Sequence, residues 1–518
     1  MDQLHQIRAL PYAALFLFSA AALLLLLATR RCRPATPPGP LGLPVIGHLH
    51  LLGPRLHQTF HDLSLKYGPF MQLYLGSMPC PVVSTPDLVR DFLKTHELNF
   101  SNRKRSTAIE IVTYNSSFAF SPYAPYWKYI NKLCMYELLG TRNIAHFQPV
   151  RDLEVRAFVE NLAKKGGGDA VVNVTDELMK VTSNVISSMM LSLRAAEDDG
   201  DADAARTVVR EVTQIFGEFN VSDMLWIFKG FDFQGIRRRA EDIRRRYDSL
   251  LERIISSREE ERRAGGGTAG TEPRDFLDML LDVRDGKSDV EFTRDHLKAL
   301  VLDFFTAATD TTALTSEWAI AELINNPNVL KKAQEEIDRV IGQGRLVNEL
   351  DAPNLPYLQA IIKETLRLHP PIPLLSRKSV EDCEIRGYKI PANSLLFVNI
   401  WSIGRNPKYW ENPLAFRPDR FFEKGNESID IKGQHFELLP FGTGRRGCPG
   451  MVMAIQELIS IIGNMIQCFD WKLPDGVVGP LDMSERPGLT APRANELLCR
   501  VVPRIDPAIV FRSPVKGS

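Results

Sequence analysis

The chain has 518 residues, 44% of them hydrophobic and 24% charged, which is ordinary for a globular protein and long enough to bury a large core. Its 63 basic residues balance 63 acidic ones, and a formal net charge of zero argues against nucleic acid as the main partner. The seven cysteines, at 32, 80, 134, 383, 448, 468 and 499, show no paired spacing and no C-x-x-C, which disfavours a disulfide framework or a zinc site and fits a reducing compartment.

From Leu10 to Ala28 the chain is almost wholly apolar, just long enough as a helix to cross a bilayer. Arg8 precedes this stretch and Arg30, Arg31 and Arg33 follow it, so the positive-inside rule leaves the rest of the chain in the cytosol. Residues 1–29 are therefore expected to be a single membrane anchor. A cleaved signal peptide is the competing reading, but no small-residue cleavage site follows the apolar run. Residues 30–44 contain Pro34, Pro37, Pro38, Pro40 and Pro44, which predicts a stiff spacer; a proline-rich docking peptide has the same composition.

Residues 45–518 show no boundary and no internal repeat, and read as one mainly α domain with a small β region. Helical periodicity is clearest at 152–164, 205–219, 236–262, 293–325, 328–341 and 357–368, with strand-like runs at 70–84, 384–390 and 395–399. Glu197 to Asp203 and Gly265 to Gly270 read as exposed loops. Between Arg237 and Arg263 arginines alternate with acids at helical spacing, as on a solvated face.

The strongest local signal is Phe441-Gly-Thr-Gly-Arg-Arg446-Gly-Cys448-Pro449-Gly450. Glycines around the cysteine permit tight turns that bring amides to the sulfur, and Pro449 suits the first turn of the helix predicted by the apolar run Met451 to Phe469. A helix start beside two arginines favours the thiolate, which is the form that ligates iron. An ordinary glycine-rich turn with a buried cysteine is the bland alternative.

With this motif the sequence resembles the cytochrome P450 family, in particular its plant microsomal members, and the resemblance runs from the anchor to near the C-terminus. It implies the cytochrome P450 fold, a haem b cofactor with Cys448 as axial iron ligand, and Phe441 and Arg446 beside the haem. Glu364-Thr-Leu-Arg367 has the family's E-x-x-R spacing, which places both side chains on one helical face. With Phe416-Arg-Pro-Asp419-Arg420-Phe421 it looks like the family's structural triad of Glu364, Arg367 and Arg420, with Asp419 where Glu is more usual. Ala307-Ala308-Thr309-Asp310-Thr311-Thr312 lies in a helix of about 33 residues, or ~50 Å. By resemblance Asp310 and Thr311 relay protons to iron-bound dioxygen. Ala308 replaces a glycine of the usual pattern, and the threonines could instead bond back to the preceding turn.

A W-x-x-x-R pattern is expected on the helix that meets the haem propionates, but Trp127 is followed four residues on by Asn131. Trp127 is carried over as a cofactor contact, with Lys132 or Lys128 as the nearest cations; Arg377 and Arg446 are further propionate partners by resemblance. Position in the family pattern makes Phe118, Phe120, Phe304, Ala308, Leu374, Leu375, Leu489 and Thr490 the expected substrate contacts, an apolar, aromatic lining.

Thiolate ligation favours cleavage of the oxygen–oxygen bond, so the resemblance implies a monooxygenase. The chain holds no G-x-G-x-x-G fingerprint, so electrons from NADPH are expected through a membrane-bound NADPH-cytochrome P450 reductase, with Arg445, Lys128 and Lys132 as a basic docking rim. The expected location is the endoplasmic reticulum membrane. Phe-Ser-Asn-Arg103, Tyr-Trp-Lys128 and Arg-Leu-His-Pro-Pro371 look most like the plant enzymes that oxidise flavanones, such as naringenin and eriodictyol: the flavanone 2-hydroxylases and flavone synthases II. An oxygen-independent haem isomerase or dehydratase and a non-enzymatic haem-binding protein are the competing classes, and both leave Asp310 and Thr311 without a task.

Overall fold

The computed structural model describes residues 36–166, 170–193, 200–264, 275–286, 290–477 and 479–505. The expected anchor, the first part of the spacer, and the Gly265–Gly270 loop lie outside the described residues.

The helices of eight or more residues among the described ones are α1 (Leu56–Tyr67), α2 (Pro125–Lys132), α3 (Gln148–Lys165), α4 (Val174–Leu191), α5 (Gly200–Gly217), α6 (Ile236–Ala264), α7 (Phe276–Asp285), α8 (Arg294–Asn325), α9 (Pro327–Val340), α10 (Pro356–Leu368) and α11 (Met451–Cys468). The strands are β1 (Phe70–Leu75), β2 (Met78–Val83), β3 (Val171–Asn173), β4 (Leu374–Lys378), β5 (Cys383–Ile385), β6 (Tyr388–Ile390), β7 (Leu395–Asn399), β8 (Phe469–Lys472) and β9 (Leu498–Pro503). They form a four-stranded sheet in the order β1-β2-β7-β4, a three-stranded sheet β3-β9-β8 and the hairpin β5-β6. Within the first sheet only β2 and β7 pair in parallel. The hairpin turns on Arg386 and Gly387, both at positive φ, as a two-residue turn of matching twist requires.

Each helix predicted from periodicity is present, within a few residues at its ends. The long helix α8 is the spine, packed against α4, α10 and α11. Its start is fixed by a capping box, in which Thr293 accepts from the His296 amide while the His296 ring meets the Thr293 amide. α11 is apolar enough to cross a membrane by composition, but it is buried in the protein core.

The structure departs from the expectations at three places. Of the expected Glu197 to Asp203 loop, residues 197–199 lie outside the described residues and Gly200 to Asp203 open α5. Pro449 lies just before α11, whose N-cap is Gly450. The end of the proline spacer does not hang free: the Gln72 amide of β1 donates to the Pro38 carbonyl at 2.8 Å, the His48 ring meets the Pro40 carbonyl at 2.9 Å, and Gly47 bridges to Leu75.

Candidate active site

The cysteine loop is shaped by its backbone. Gly442 and Gly444 adopt φ of +71° and +65°, which disfavour any side chain, and the Cys448 amide donates to the Phe441 carbonyl at 2.8 Å. Phe441 is half-buried against the main core. Of the free cysteines among the described residues, Cys448 alone is exposed. Yet desolvation raises its pKa, against the opposing pull of the Gly450 amide and Arg103, so the accessible sulfur faces a space enclosed by protein. The expected activation by two neighbouring arginines is corrected here. Arg445 turns outward to an ion pair with Glu97, Arg446 is spent on carbonyls, and burial holds the thiol protonated unless a metal cation displaces the proton.

Three buried guanidiniums converge above this loop. Arg446 donates to the Ser101 carbonyl at 2.7 Å and the Ser121 carbonyl at 2.5 Å, lies 4.2 Å over the Trp127 ring, and leaves Nη1 without a partner. Arg377, 2% exposed, donates to the carbonyls of Ser376 and Arg446 at 2.9 and 3.3 Å. Arg103 has a buried Nε with no partner. Burial lowers all three, and repulsion from Arg103 lowers Arg377 and Arg446 further, Arg446 to about 9, while Asp303 and Cys448 partly restore Arg103. Buried like charges with unmet donors are costly unless an anion joins them. A ligand carrying two carboxylates meets that demand.

This arrangement also corrects the expected propionate partners. The Trp127 indole donates to the Phe118 carbonyl at 3.1 Å, and the ring supports Arg446 rather than offering its N–H to a ligand. Lys132 and Lys128 are exposed, the latter with its ammonium 4.9 Å over the Tyr123 ring, because helical spacing from the buried Trp127 turns them to solvent. Arg103 is the cation missed by the sequence reading. The only signal was its place in Phe-Ser-Asn-Arg103, where nothing nearby marks it as buried.

On α8 the flanks are buried, but Ala307 is exposed and Thr306, Ala308, Asp310 and Thr311 are half-buried, so one face at mid-helix opens onto the interior. Thr311 Oγ1 donates to the Ala307 carbonyl at 2.6 Å, the turn-bonded geometry weighed above, while Thr309 Oγ1 is buried without a partner. Burial raises the Asp310 carboxyl, and a hydrogen bond to Thr213 of α5 with the charges of Arg210 and Arg486 partly restores it. One helical carboxylate passed unnoticed in the sequence. Asp303 accepts from Ser117 Oγ at 2.7 Å and the Phe118 amide at 2.6 Å, and burial pushes it up to about 7.

The expected substrate contacts divide. Phe118 and Phe120 are half-buried on the loop before α2; Phe118 stacks on Trp127 at 5.6 Å and Phe120 meets Phe216 of α5 edge-on at 5.9 Å. Leu374 and Leu375, at the start of β4, are half-buried at the margins of the two sheet-side cores. Leu489 is exposed and close to the Gly217 end of α5, with Thr490 half-buried beside it. Phe304 is buried in the core with its ring edge-on to Phe276 at 5.9 Å, while its spacing of three, four and seven residues from Ala307, Ala308 and Thr311 keeps it on the same face of α8.

Below the loop, Glu364, Arg367 and Arg420 are buried together. Arg367 grips Glu364 through Nε and Nη2, both at 2.8 Å, and Arg420 Nε reaches the same carboxylate at 2.9 Å. The Arg417 amide adds a fourth bond to Glu364 at 2.8 Å, and the two guanidiniums also donate to the carbonyls of Gly404, Glu411, Pro413 and Ala415. One carboxylate thus ties α10 to the segment leading to the cysteine loop. Asp419 lies outside this cluster, paired with Lys332 and Tyr357 at the surface.

A tetrapyrrole with two carboxylates answers both the open thiol and the unneutralised guanidiniums, and fold and site together define the class of a haem-thiolate protein. Residues 37–500 match the family described as Cytochrome P450. The chain is 59% identical over 468 residues to Cytochrome P450 93B2 of Gerbera hybrida, covering 89% of this chain and 91% of that one. It is 45% identical to a 2-hydroxyisoflavanone synthase of Glycyrrhiza uralensis, covering 90% of this chain and 92% of the other. A zebra fish cytochrome P450 structure with progesterone superposes with a TM-score of 0.74 at 27% identity, over 86% of this chain and 99% of that one. The chain therefore belongs to the cytochrome P450 family and groups with its plant 93B members. It is a monooxygenase with a haem-thiolate cofactor, which supplies dioxygen activation when bound.

Proposed function

We propose that this monooxygenase oxidises flavanones, naringenin and eriodictyol among them, at the 2-position of the heterocycle. The observation that carries this reading is the similarity, over nine-tenths of the chain, to an enzyme named for making a 2-hydroxyisoflavanone. The half-buried rings of Phe118 and Phe120 suit a flat aromatic substrate, and the hydrogen at that carbon is activated by the ring oxygen and the aryl substituent together. In this reading Cys448 would ligate the haem iron, and Arg103, Arg377 and Arg446 would hold its carboxylates. Asp310 stores a proton beside the interior face of α8, and Thr311 passes it inward once its hydroxyl leaves the Ala307 carbonyl. Loss of the neighbouring hydrogen instead of hydroxylation would give a flavone, and the same site supports that second reading.

The test is turnover of naringenin deuterated at the 2-position with reductase and NADPH. A 2-hydroxyflavanone or a flavone with loss of label and a primary isotope effect is expected; hydroxylation confined to the aryl ring with the label kept overturns the proposal.

We further propose that residues 1–29 anchor the protein in the endoplasmic reticulum membrane and that residues 45–518 form the cytosolic catalytic domain. An exposed apolar group between α5 and α6, Trp226, Phe231 and Phe233, each at least 60% exposed, supports a lipid-facing side. The Gly76 turn touches both Met224, next to that group, and Ile46, just after the spacer, so the patch and the spacer leave the body on one side. NADPH-cytochrome P450 reductase is the proposed electron donor, meeting the exposed Lys128 and Lys132; Arg445 is held by Glu97 and contributes less free charge.

A further inference from the structure

Asp303 has no task in the reaction as described, yet it is the best-connected carboxylate on α8. It is 8% exposed. Its two oxygens accept from Ser117 Oγ at 2.7 Å and the Phe118 amide at 2.6 Å, and the Ala119 amide bonds to it as well. Ser117 Oγ in turn accepts from the Phe120 amide at 3.2 Å. The loop 117–120 thus folds three consecutive amides around one carboxylate and its hydroxyl partner, an anion-holding turn built from this chain's own parts.

The loop so held carries the two half-buried rings of Phe118 and Phe120. The Phe118 carbonyl receives the Trp127 indole N–H, its ring stacks on Trp127 with an interplanar angle of 10°, and Trp127 underlies Arg446. Phe120 lies between Arg103, 6.0 Å from its ring centre, and Phe216. On α8, Asp303, Ala307 and Thr311 are spaced four residues apart and so follow one helical face. Asp303 therefore fastens the aromatic loop to the same face that opens onto the interior at Ala307 and Thr311.

We propose that Asp303 is a positioning residue that sets which product forms, by fixing Phe118 and Phe120 relative to the Ala307–Thr311 face. This rests on the flavanone reading. Either product consumes one dioxygen, two electrons from the reductase and two protons. Hydroxylation leaves one oxygen atom in the product and one in water; desaturation removes two substrate hydrogens and leaves both oxygens in water. Once the first hydrogen is lost, the division depends on whether the carbon or the neighbouring hydrogen is presented next, and a fixed ring on one side of the substrate decides that orientation. Asp303→Asn keeps the shape but can accept through one oxygen only, and turns an N–H₂ toward amide donors. Ser117→Ala removes one donor and frees the Phe120 amide; Ser117→Thr retains the hydroxyl.

The experiment uses the full-length haem protein in three variants. Haem content and the ferrous carbonyl spectrum are expected to match wild type in the two Ser117 variants. Amide hydrogen exchange at 118–120 is expected to rise in Asp303→Asn and Ser117→Ala and to stay low in Ser117→Thr. The ratio of hydroxylated to desaturated product is expected to move about fivefold, the scale of one lost hydrogen bond, and to return in Ser117→Thr. Unchanged exchange in both Asp303→Asn and Ser117→Ala overturns the positioning role. Raised exchange with an unmoved product ratio overturns control of the product. Wild-type enzyme that leaves flavanones untouched defeats the proposed reaction instead, while the exchange measurement still decides the positioning role.

Discussion

The two sides of the site are held together in different ways. On the cysteine side, geometry is fixed by the backbone and by a closed ionic cluster: Glu364 receives four hydrogen bonds from Arg367, Arg417 and Arg420, and the guanidiniums spend further donors on carbonyls of the chain that leads to Cys448. On the opposite side, few contacts bear more of the placement: Thr311 bonds only within its own helix, and the aromatic loop depends on Asp303. The contrast suits the chemistry. An axial ligand must not move, whereas substrate and proton must come and go.

The largest effects are expected where the fixed side is broken. Cys448→His should abolish monooxygenase activity and, where haem is retained, remove the red-shifted carbonyl Soret band of thiolate ligation; an unchanged band would refute the assignment. Next comes Glu364→Ala, which leaves two buried guanidiniums unpaired at a cost of about 3–5 kcal/mol. The yield of folded haem protein should collapse, and normal yield with an unshifted unfolding midpoint would show that the cluster is not what holds the loop. On the adjustable side, Thr311→Ala should leave folding and NADPH consumption close to wild type while diverting electrons to peroxide, since protons then reach the bound oxygen less selectively. Full coupling in that variant would make Thr311 a turn-bonded structural residue.

The same contrast explains what could be read from the sequence. Local motifs expose the fixed side: a glycine-flanked cysteine and an i, i+3 ion pair are each patterns within a short window. α4 escaped notice because Val-Thr-Asp-Glu-Leu-Met-Lys-Val-Thr-Ser-Asn-Val-Ile-Ser-Ser-Met-Met-Leu is rich in β-branched and hydroxyl residues of modest helix propensity, and packing against α8 is what selects the helix. Arg103 and Asp303 were illegible for a related reason: each is an ordinary charged residue until chain segments far apart in sequence bury it. Lys132 misled because a cation close in sequence to Trp127 need not share its face.

The remaining prediction concerns an unpartnered buried carboxylate on the fixed side. Glu457 of α11 is buried with Oε1 unpartnered, close enough to Arg151 to feel its charge, while Arg151 is committed to Glu349 through bonds of 2.9 and 2.6 Å and leaves its own Nη1 unpartnered. Burial, reinforced by Glu349, pushes the Glu457 carboxyl from its usual 4.5 up to about 8. The folded state therefore holds a proton that the unfolded chain releases above pH 4.5, so this group makes folding progressively less favourable as pH rises from about 4.5 to about 8, by at most about 1.4 kcal/mol per pH unit. Glu457→Gln keeps the shape of the protonated acid and has no charge to desolvate. Its unfolding midpoint should match wild type near pH 5 and exceed it by a widening margin toward pH 8. A margin that is the same at both pH values would mean that Arg151 already neutralises Glu457.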